Sequence, residues 1–224
     1  MTIILELLQG FGLTLLLFAI TLVMAIPLGL LISFCSMSRF RVVRAISRGF
    51  VWIIRGTPLL LQILAISFVP SFRFGIPNKT IYVSLGITLS TLNFIFVAVA
   101  FVINYACYFS EIFRGGIESI SKGQYEAGQV LGMTKRQIFF NVVLLQVVKR
   151  IMAPMSNEII TLVKDTSLAR TLAVAELYFV AAEAVNIHVS LLPLVYAGAF
   201  YLIFNGVLTI LFGKIEKKLS YFRS

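Results

Sequence analysis

Long apolar runs alternate with short polar, mostly basic segments along this chain, and that alternation predicts helices that cross a membrane. The first run, about 11–34, carries no charge, with Pro27 and Gly29 in its second half. Such a kink is tolerated where neighbouring helices satisfy the freed backbone groups. Arg39, Arg41, Arg44 and Arg48 follow. Three of these, Arg41, Arg44 and Arg48, fall at i, i+3 and i+7, on one face of a short amphipathic helix. A second run, about 50–70, is predicted as the next span. Its early Arg55-Gly56-Thr57-Pro58 interrupts the apolar pattern. Arg55 there is either a snorkelling residue at the cytosolic edge or a side chain that faces a pathway, because lipid cannot satisfy it.

Turn residues Pro70, Gly75, Pro77 and Asn78 mark a loop over 71–79. From Thr80 to Ser110 no residue is charged. One helix of that length would be about 46 Å long, against about 30 Å of hydrocarbon. The Gly86, Thr88, Ser90 and Thr91 positions therefore suggest a short interfacial helix first, then a main span over about 93–113. A polar insert follows, GQYEAGQVLGMTKRQIFFNVVLL. The next span, about 150–168, is unusually polar. Glu158, Thr161 and Asp165 share one face at i, i+3 and i+7; Asn157, Thr161 and Lys164 share another at i, i+4 and i+7. An intramembrane carboxylate is a functional hypothesis by default, and the competing reading makes Glu158 a structural residue paired with a neighbouring helix. Residues 170–186, with Glu176 and Glu183, read as a re-entrant or extracytoplasmic connector. The last span is about 191–212, before a tail with Lys214, Lys217, Lys218 and Arg223.

Composition agrees with this pattern. Of 224 residues 59% are hydrophobic and 12% charged, with a mean hydropathy of +0.99. A water-facing fold would need more polar residues to cover its outside. The class is all-α, a polytopic membrane protein with five spans. The formal charge of +10 would raise nucleic-acid binding in a soluble protein. Here the basic residues lie between spans, which points instead to orientation and to contact with membrane lipid. Segments 36–49, 114–150 and the tail hold 4, 6 and 4 basic residues. That bias puts the insert and the C-terminus in the cytosol and the N-terminus outside. With no basic stretch before the first apolar run, that run is read as a retained span and not a cleaved signal. Cys35 and Cys107 lie in apolar runs and read as buried thiols, and a single His188 excludes a histidine-based metal site.

The insert and its surroundings resemble a known family. Glu126-Ala127-Gly128-x3-Gly132-x9-Val142-x-Leu144-Leu145 matches, step for step in spacing, the E-A-A-x3-G-x9-I-x-L-P loop of type I ABC importer permeases. Gly128, Val142 and Leu145 depart from its third Ala, its Ile and its Pro. Arg55-Gly56-Thr57-Pro58-Leu59-Leu60-x-Gln62, Glu111-Ile112-Phe113-Arg114-Gly115-Gly116, Gly123-Gln124-x-Glu126-Ala127 and Lys164-Asp165-Thr166-Ser167-Leu168 resemble the polar amino acid branch of that family, in its order, over about residues 10–213.

The resemblance implies a type I transmembrane fold and a half-transporter. A second permease subunit, alike or related, would complete the path. Two cytosolic ABC ATPases would bind beneath, and an extracytoplasmic binding protein would deliver substrate. The loop, about 120–145, would be a coupling helix seated in a groove of the ATPase. Glu126 and Lys135 or Arg136 could make charged contacts there. Ala127, Val130, Leu131 and Met133 could supply a small apolar knob beside Gly128, with Gly132 allowing the turn. No G-x4-G-K-[ST] run cradles phosphate, so ATP and Mg belong on the partner chain and this chain is not itself an enzyme.

The substrate reads as an amino acid, a cationic one included; the competing reading places its selection wholly in the binding protein. Glu158 is the best-placed anion, and Asn157, Thr161, Lys164, Asp165 and Arg55 are candidate partners along the path. Two other classes compete with this reading. A secondary transporter or channel would need no ATPase, and a membrane-embedded enzyme would need a nucleophile or metal constellation that the spans lack.

Overall fold

A computed structural model describes residues 2–219; Arg223 of the basic tail lies outside them. Among the described residues every regular element is helical. The elements are α1 (Thr2–Ser36), α2 (Arg41–Arg55), α3 (Leu59–Phe74), α4 (Asn78–Ser84), α5 (Leu89–Glu118), α6 (Lys122–Val130), α7 (Lys135–Ile138), α8 (Leu144–Asp165), α9 (Leu177–His188) and α10 (Leu192–Lys218). A π-helical turn, Phe139–Val143, joins α7 to α8, and a 3-10 segment, Thr166–Leu172, follows α8.

Four described segments are long and apolar enough to cross a bilayer by themselves: Ile3–Ser36, Leu89–Glu118, Lys135–Leu172 and Leu192–Lys218. The bent pair α2 and α3 is apolar enough when its two arms are taken together, which brings the number to as many as five. That pair corrects the predicted span over 50–70. Residues 41–55 form one helix, the chain turns by 107° at Gly56–Pro58, and the second arm runs to Phe74. Pro58 disfavours helical geometry at Thr57 and offers no N–H to a helix passing through it. The Gln62 side chain then holds the elbow. Its Nε2 donates to Ile54 O at 2.8 Å, Thr57 O at 3.0 Å and Thr57 Oγ1 at 2.9 Å.

Further along, α4 is a separate short helix, and Thr88 caps α5 by accepting from the Thr91 N–H at 3.2 Å. The boundary near residue 150 also shifts. With Leu145 in place of proline the backbone donor is retained, and helix continues through the π turn from Lys135 to Asp165.

The core forms where α5 runs between α1 and α8. Leu17, Phe18 and Ala25 of α1 meet Ala100, Phe101, Tyr105 and Phe109 of α5, with Ile159 and Leu162 of α8 beyond. Lipid supplies little hydrophobic force between helices, so close packing carries this contact. At Gly29 an added Cβ would lie 2.8 Å from the Ala106 carbonyl oxygen, which shows how near α1 and α5 approach. The buried Thr21 hydroxyl donates to Leu17 O at 2.7 Å and so adds no unsatisfied group. Cys107 is buried in α5, but Cys35, expected inside, is exposed at the end of α1.

Glu176 anchors the connector between α8 and α10. Its fully buried carboxylate accepts from the Tyr178 and Phe179 N–H groups at 2.8 and 2.7 Å and from the Tyr201 hydroxyl at 3.1 Å. The next donor, Leu177 N–H, reaches Thr14 Oγ1 of α1 at 3.1 Å. A Glu176→Ala change removes a helix cap and strands three partly buried donors, a loss of about 2–3 kcal/mol. The detergent-solubilised chain should unfold at a lower temperature in a thermal scan. Glu176→Gln, which keeps one acceptor oxygen, should lie between it and the parent.

Candidate functional site

The EAA-like loop is built as two short helices hinged at Gly132. α6 ends in a Schellman motif, in which Met133 N–H donates to Gly128 O at 3.0 Å and Gly132 N–H to Gln129 O at 2.9 Å. Gly132 sits at φ +72°, a left-handed conformation that a Cβ would strain. Thr134 and Gln137 then form a capping box that starts α7, with each side chain accepting from the other residue's N–H at 3.3 and 2.8 Å.

Beneath the hinge, Ile120, Ile138, Val143 and Val147 make a small core, with Tyr125 and Met133 packed on it. Gly128 is where the family pattern has Ala, and the reason is local. An added Cβ there would lie 2.6 Å from Ile138 Cγ1. Gln146 of α8 donates to Gln124 at 3.1 Å, and Arg150 donates to the Ser119 carbonyl, so the loop is tied to the main helices.

The expected contact residues separate by exposure. Glu126, Ala127, Leu131, Gly132 and Lys135 are exposed, Met133 is half-buried and Gly128 is buried. Val130 and Leu131 stand out at 87% and 78% exposed. These two large apolar side chains at the tip of a polar loop are left uncovered by the other described residues.

The second constellation lies at the elbow, where α2 and α3 meet α5 and α8. A cavity of about 560 Å³ is lined there by residues 55–59 of the elbow, Asn104, Tyr105 and Tyr108 of α5, Glu158, Thr161 and Asp165 of α8, and Leu168. Arg55, the last residue of α2, holds its guanidinium carbon 5.0 Å from the centroid of the Tyr108 ring and a nitrogen 3.7 Å from Glu111. This is a cation–π contact backed by a long ion pair. Glu111 is in turn clasped by Arg114 at 2.6 Å, and Arg114 also reaches Glu118 at 2.6 Å. The Tyr105 hydroxyl donates to Asp165 at 2.7 Å, and Asn104 Nδ2 donates to Gln62 Oε1 at 3.0 Å. Glu158 makes no hydrogen bond or ion pair among the described residues, and its carboxylate borders the cavity.

The structure brings four of the six expected path residues together around this cavity: Arg55, Glu158, Thr161 and Asp165. Asn157 and Lys164 do not line this cavity. They are exposed, a quarter turn or so away around α8, and Lys164 borders a different depression with Ser167, Tyr178 and Tyr201. Asn104, Tyr105, Tyr108 and Gln62 were missed. The signal was present, since Asn104, Tyr108 and Glu111 recur at i, i+4 and i+7 along the span read over about 93–113.

Comparison with known proteins assigns the family. Residues 25–221 match the model of the binding-protein-dependent transport system inner membrane component. The chain belongs to that family. Within the family, an L-cystine transport system permease protein of Bacillus subtilis (strain 168) is 36% identical over 196 residues, 86% of this chain and 77% of the relative. An arginine transport system permease protein of the same organism is 31% identical over 214 residues, 95% and 92% of the two chains. The fold also matches a chain of the crystal structure of an amino acid ABC transporter with histidines. The TM-score is 0.80 at 26% identity, over 95% of this chain and 94% of that one. A binding-protein-dependent transport inner membrane component is a multi-pass membrane protein and a transport component, not an enzyme. The secondary transporter or channel read as the alternative is set aside by this membership.

Proposed function

We propose that the elbow cavity is where this permease meets the amino acid carried by an ATP-driven importer, and that the loop at 120–145 is the helix that docks on the ATPase. The observation that carries the reading is the meeting of one guanidinium and two carboxylates, Arg55, Glu158 and Asp165, around a cavity of about 560 Å³. Small-molecule sites run from about 300 to 1,000 Å³ with a few placed polar groups. A zwitterion leaving water needs a donor for its carboxylate and an acceptor for its ammonium, since either charge left unpaired is costly. Arg55 offers the first and Glu158 the second, while Asp165 is already engaged by Tyr105.

ATP and Mg stay on the partner ATPase in this reading. A second permease subunit completes the path and an extracytoplasmic binding protein loads it. The N-terminus lies outside and the C-terminus in the cytosol, with import as the direction. ATPase closure, felt at α6 and α7, passes to α8 through the small core under Gly132 and moves the helices that carry the cavity.

The test is uptake of labelled arginine and glutamine by a Glu158→Gln variant whose assembly with the ATPase has been verified. Removing one charged partner of a desolvated ammonium costs about 2 kcal/mol or more, so the transported amino acid should enter roughly thirtyfold more slowly. Unchanged rates for both amino acids would refute the site.

A further inference from the structure

Helix α2 carries arginines on one face, Arg41, Arg44, Arg48 and Arg55, and bulky apolar residues on the other, Val42, Val43, Ile46, Phe50 and Ile53. Only Val51 is buried. The apolar face has no cover among the described residues, and Val42 and Ile46 are 69% and 68% exposed. The 107° bend sets α2 across the direction of α3, so with α3 crossing the bilayer α2 runs close to the plane of the membrane. No carboxylate occurs in the sequence between Glu6 and Glu111. A second copy of α2 laid on the apolar face would bring no negative charge to the arginine face. A headgroup layer of negative charge complements it, with acyl chains beneath for the apolar face.

We infer that α2 lies in the cytosolic headgroup layer as an anionic-lipid-binding lever, through which the lipid charge of the membrane sets the transport rate. The linkage is a chain of contacts. Arg44 donates to Ser38 O and Arg48 to Ser36 O, both at 3.2 Å, which holds α2 to the end of α1. Arg48 lies 3.9 Å from Glu118 and Arg55 3.7 Å from Glu111, with Arg114 joining the two carboxylates. These carboxylates close the last turns of α5, and α6 begins four residues after Glu118. Arg55 is also a wall of the elbow cavity. A change in the depth or tilt of α2 reaches both places. The rate rests on the transport reading above; the position of α2 does not.

Trp52, the single tryptophan of the chain, lies on α2 and is 78% exposed. Its fluorescence in the full chain, reconstituted in phosphatidylcholine vesicles, reports which lipids gather there. Equal fractions of brominated phosphatidylglycerol or brominated phosphatidylcholine serve as quenchers. Each arginine at the surface should enrich anionic lipid by about fivefold, so the anionic quencher should be clearly the stronger. A double variant, Arg39→Gln with Arg41→Gln, removes two exposed charges outside the contact chain and should erase most of that excess. Uptake by the complex with its ATPase and binding protein should rise several-fold in phosphatidylglycerol-containing vesicles, and the double variant should lose that rise.

Equal quenching by the two lipids would overturn the proposal, and so would quenching by neither, which means protein covers α2. A quenching excess with equal uptake in both lipids would overturn the control of rate. Absence of ATP-driven uptake in every lipid would instead count against the transport reading, while the quenching result stands.

Discussion

Replacing Val130 and Leu131 together by Asp should abolish copurification of the ATPase and, with it, transport. The two side chains project from the tip of the α6–α7 hinge, 87% and 78% exposed, so the change removes nothing from the core of this chain. In a docking groove the same change places two carboxylates where apolar surface is matched. An uncompensated buried charge costs about 3–5 kcal/mol, which is about a hundredfold or more in affinity for one such residue. The variant should therefore reach the membrane in parental amounts, unfold at the parental temperature in detergent, and fail to retain ATPase on an affinity column. A protein that still holds the ATPase would show that docking uses another surface.

Arg55→Ala should give the opposite pattern, with the ATPase bound and uptake lost. Arg55 stands at the elbow, its charge shared between the Tyr108 ring and Glu111, and it forms part of the cavity wall. Its pairing with Glu111 is long and partly exposed, so the loss to stability is small, within the range of about 0–1 kcal/mol for exposed pairs. Its loss to transport is larger. A substrate carboxylate in a partly dehydrated cavity would lose its charged donor, worth about 2–5 kcal/mol, which lowers uptake by roughly thirtyfold or more. Arg55→Lys keeps the charge without the planar fork and should recover only part of the rate.

The all-helical membrane class was legible in the sequence because spans announce themselves by length and charge depletion. The two-helix loop at 120–145 was legible because its turn depends on one glycine at a fixed place, and Gly132 occupies a left-handed conformation. The elbow was not read. Pro58 signalled a break, but how far the chain turns there depends on the bonds Gln62 makes back to Ile54 and Thr57, and these are tertiary choices. The cavity was half legible for a related reason. A helical wheel groups Glu158, Thr161 and Asp165, yet it equally groups Asn157, Thr161 and Lys164, and only the position of α5 against α8 decides between the two faces. The α5 residues were missed because Asn104, Tyr105 and Tyr108 sit in an uncharged run, where polarity without charge is a weak signal. Buried Glu176 was visible only as one more carboxylate in a connector; its worth comes from donors on Tyr178, Phe179 and Tyr201 that the fold brings to it.

The central claim is that docking and substrate contact are separate sites on one chain, joined through α8. Side-by-side assay of ATPase retention and labelled amino acid uptake, in the reconstituted complex, tests it most directly. The expected result is that the Val130→Asp, Leu131→Asp variant loses both, while Arg55→Ala keeps the ATPase and loses uptake. Parental uptake by Arg55→Ala with the ATPase in place, or loss of the ATPase from it, would contradict the account.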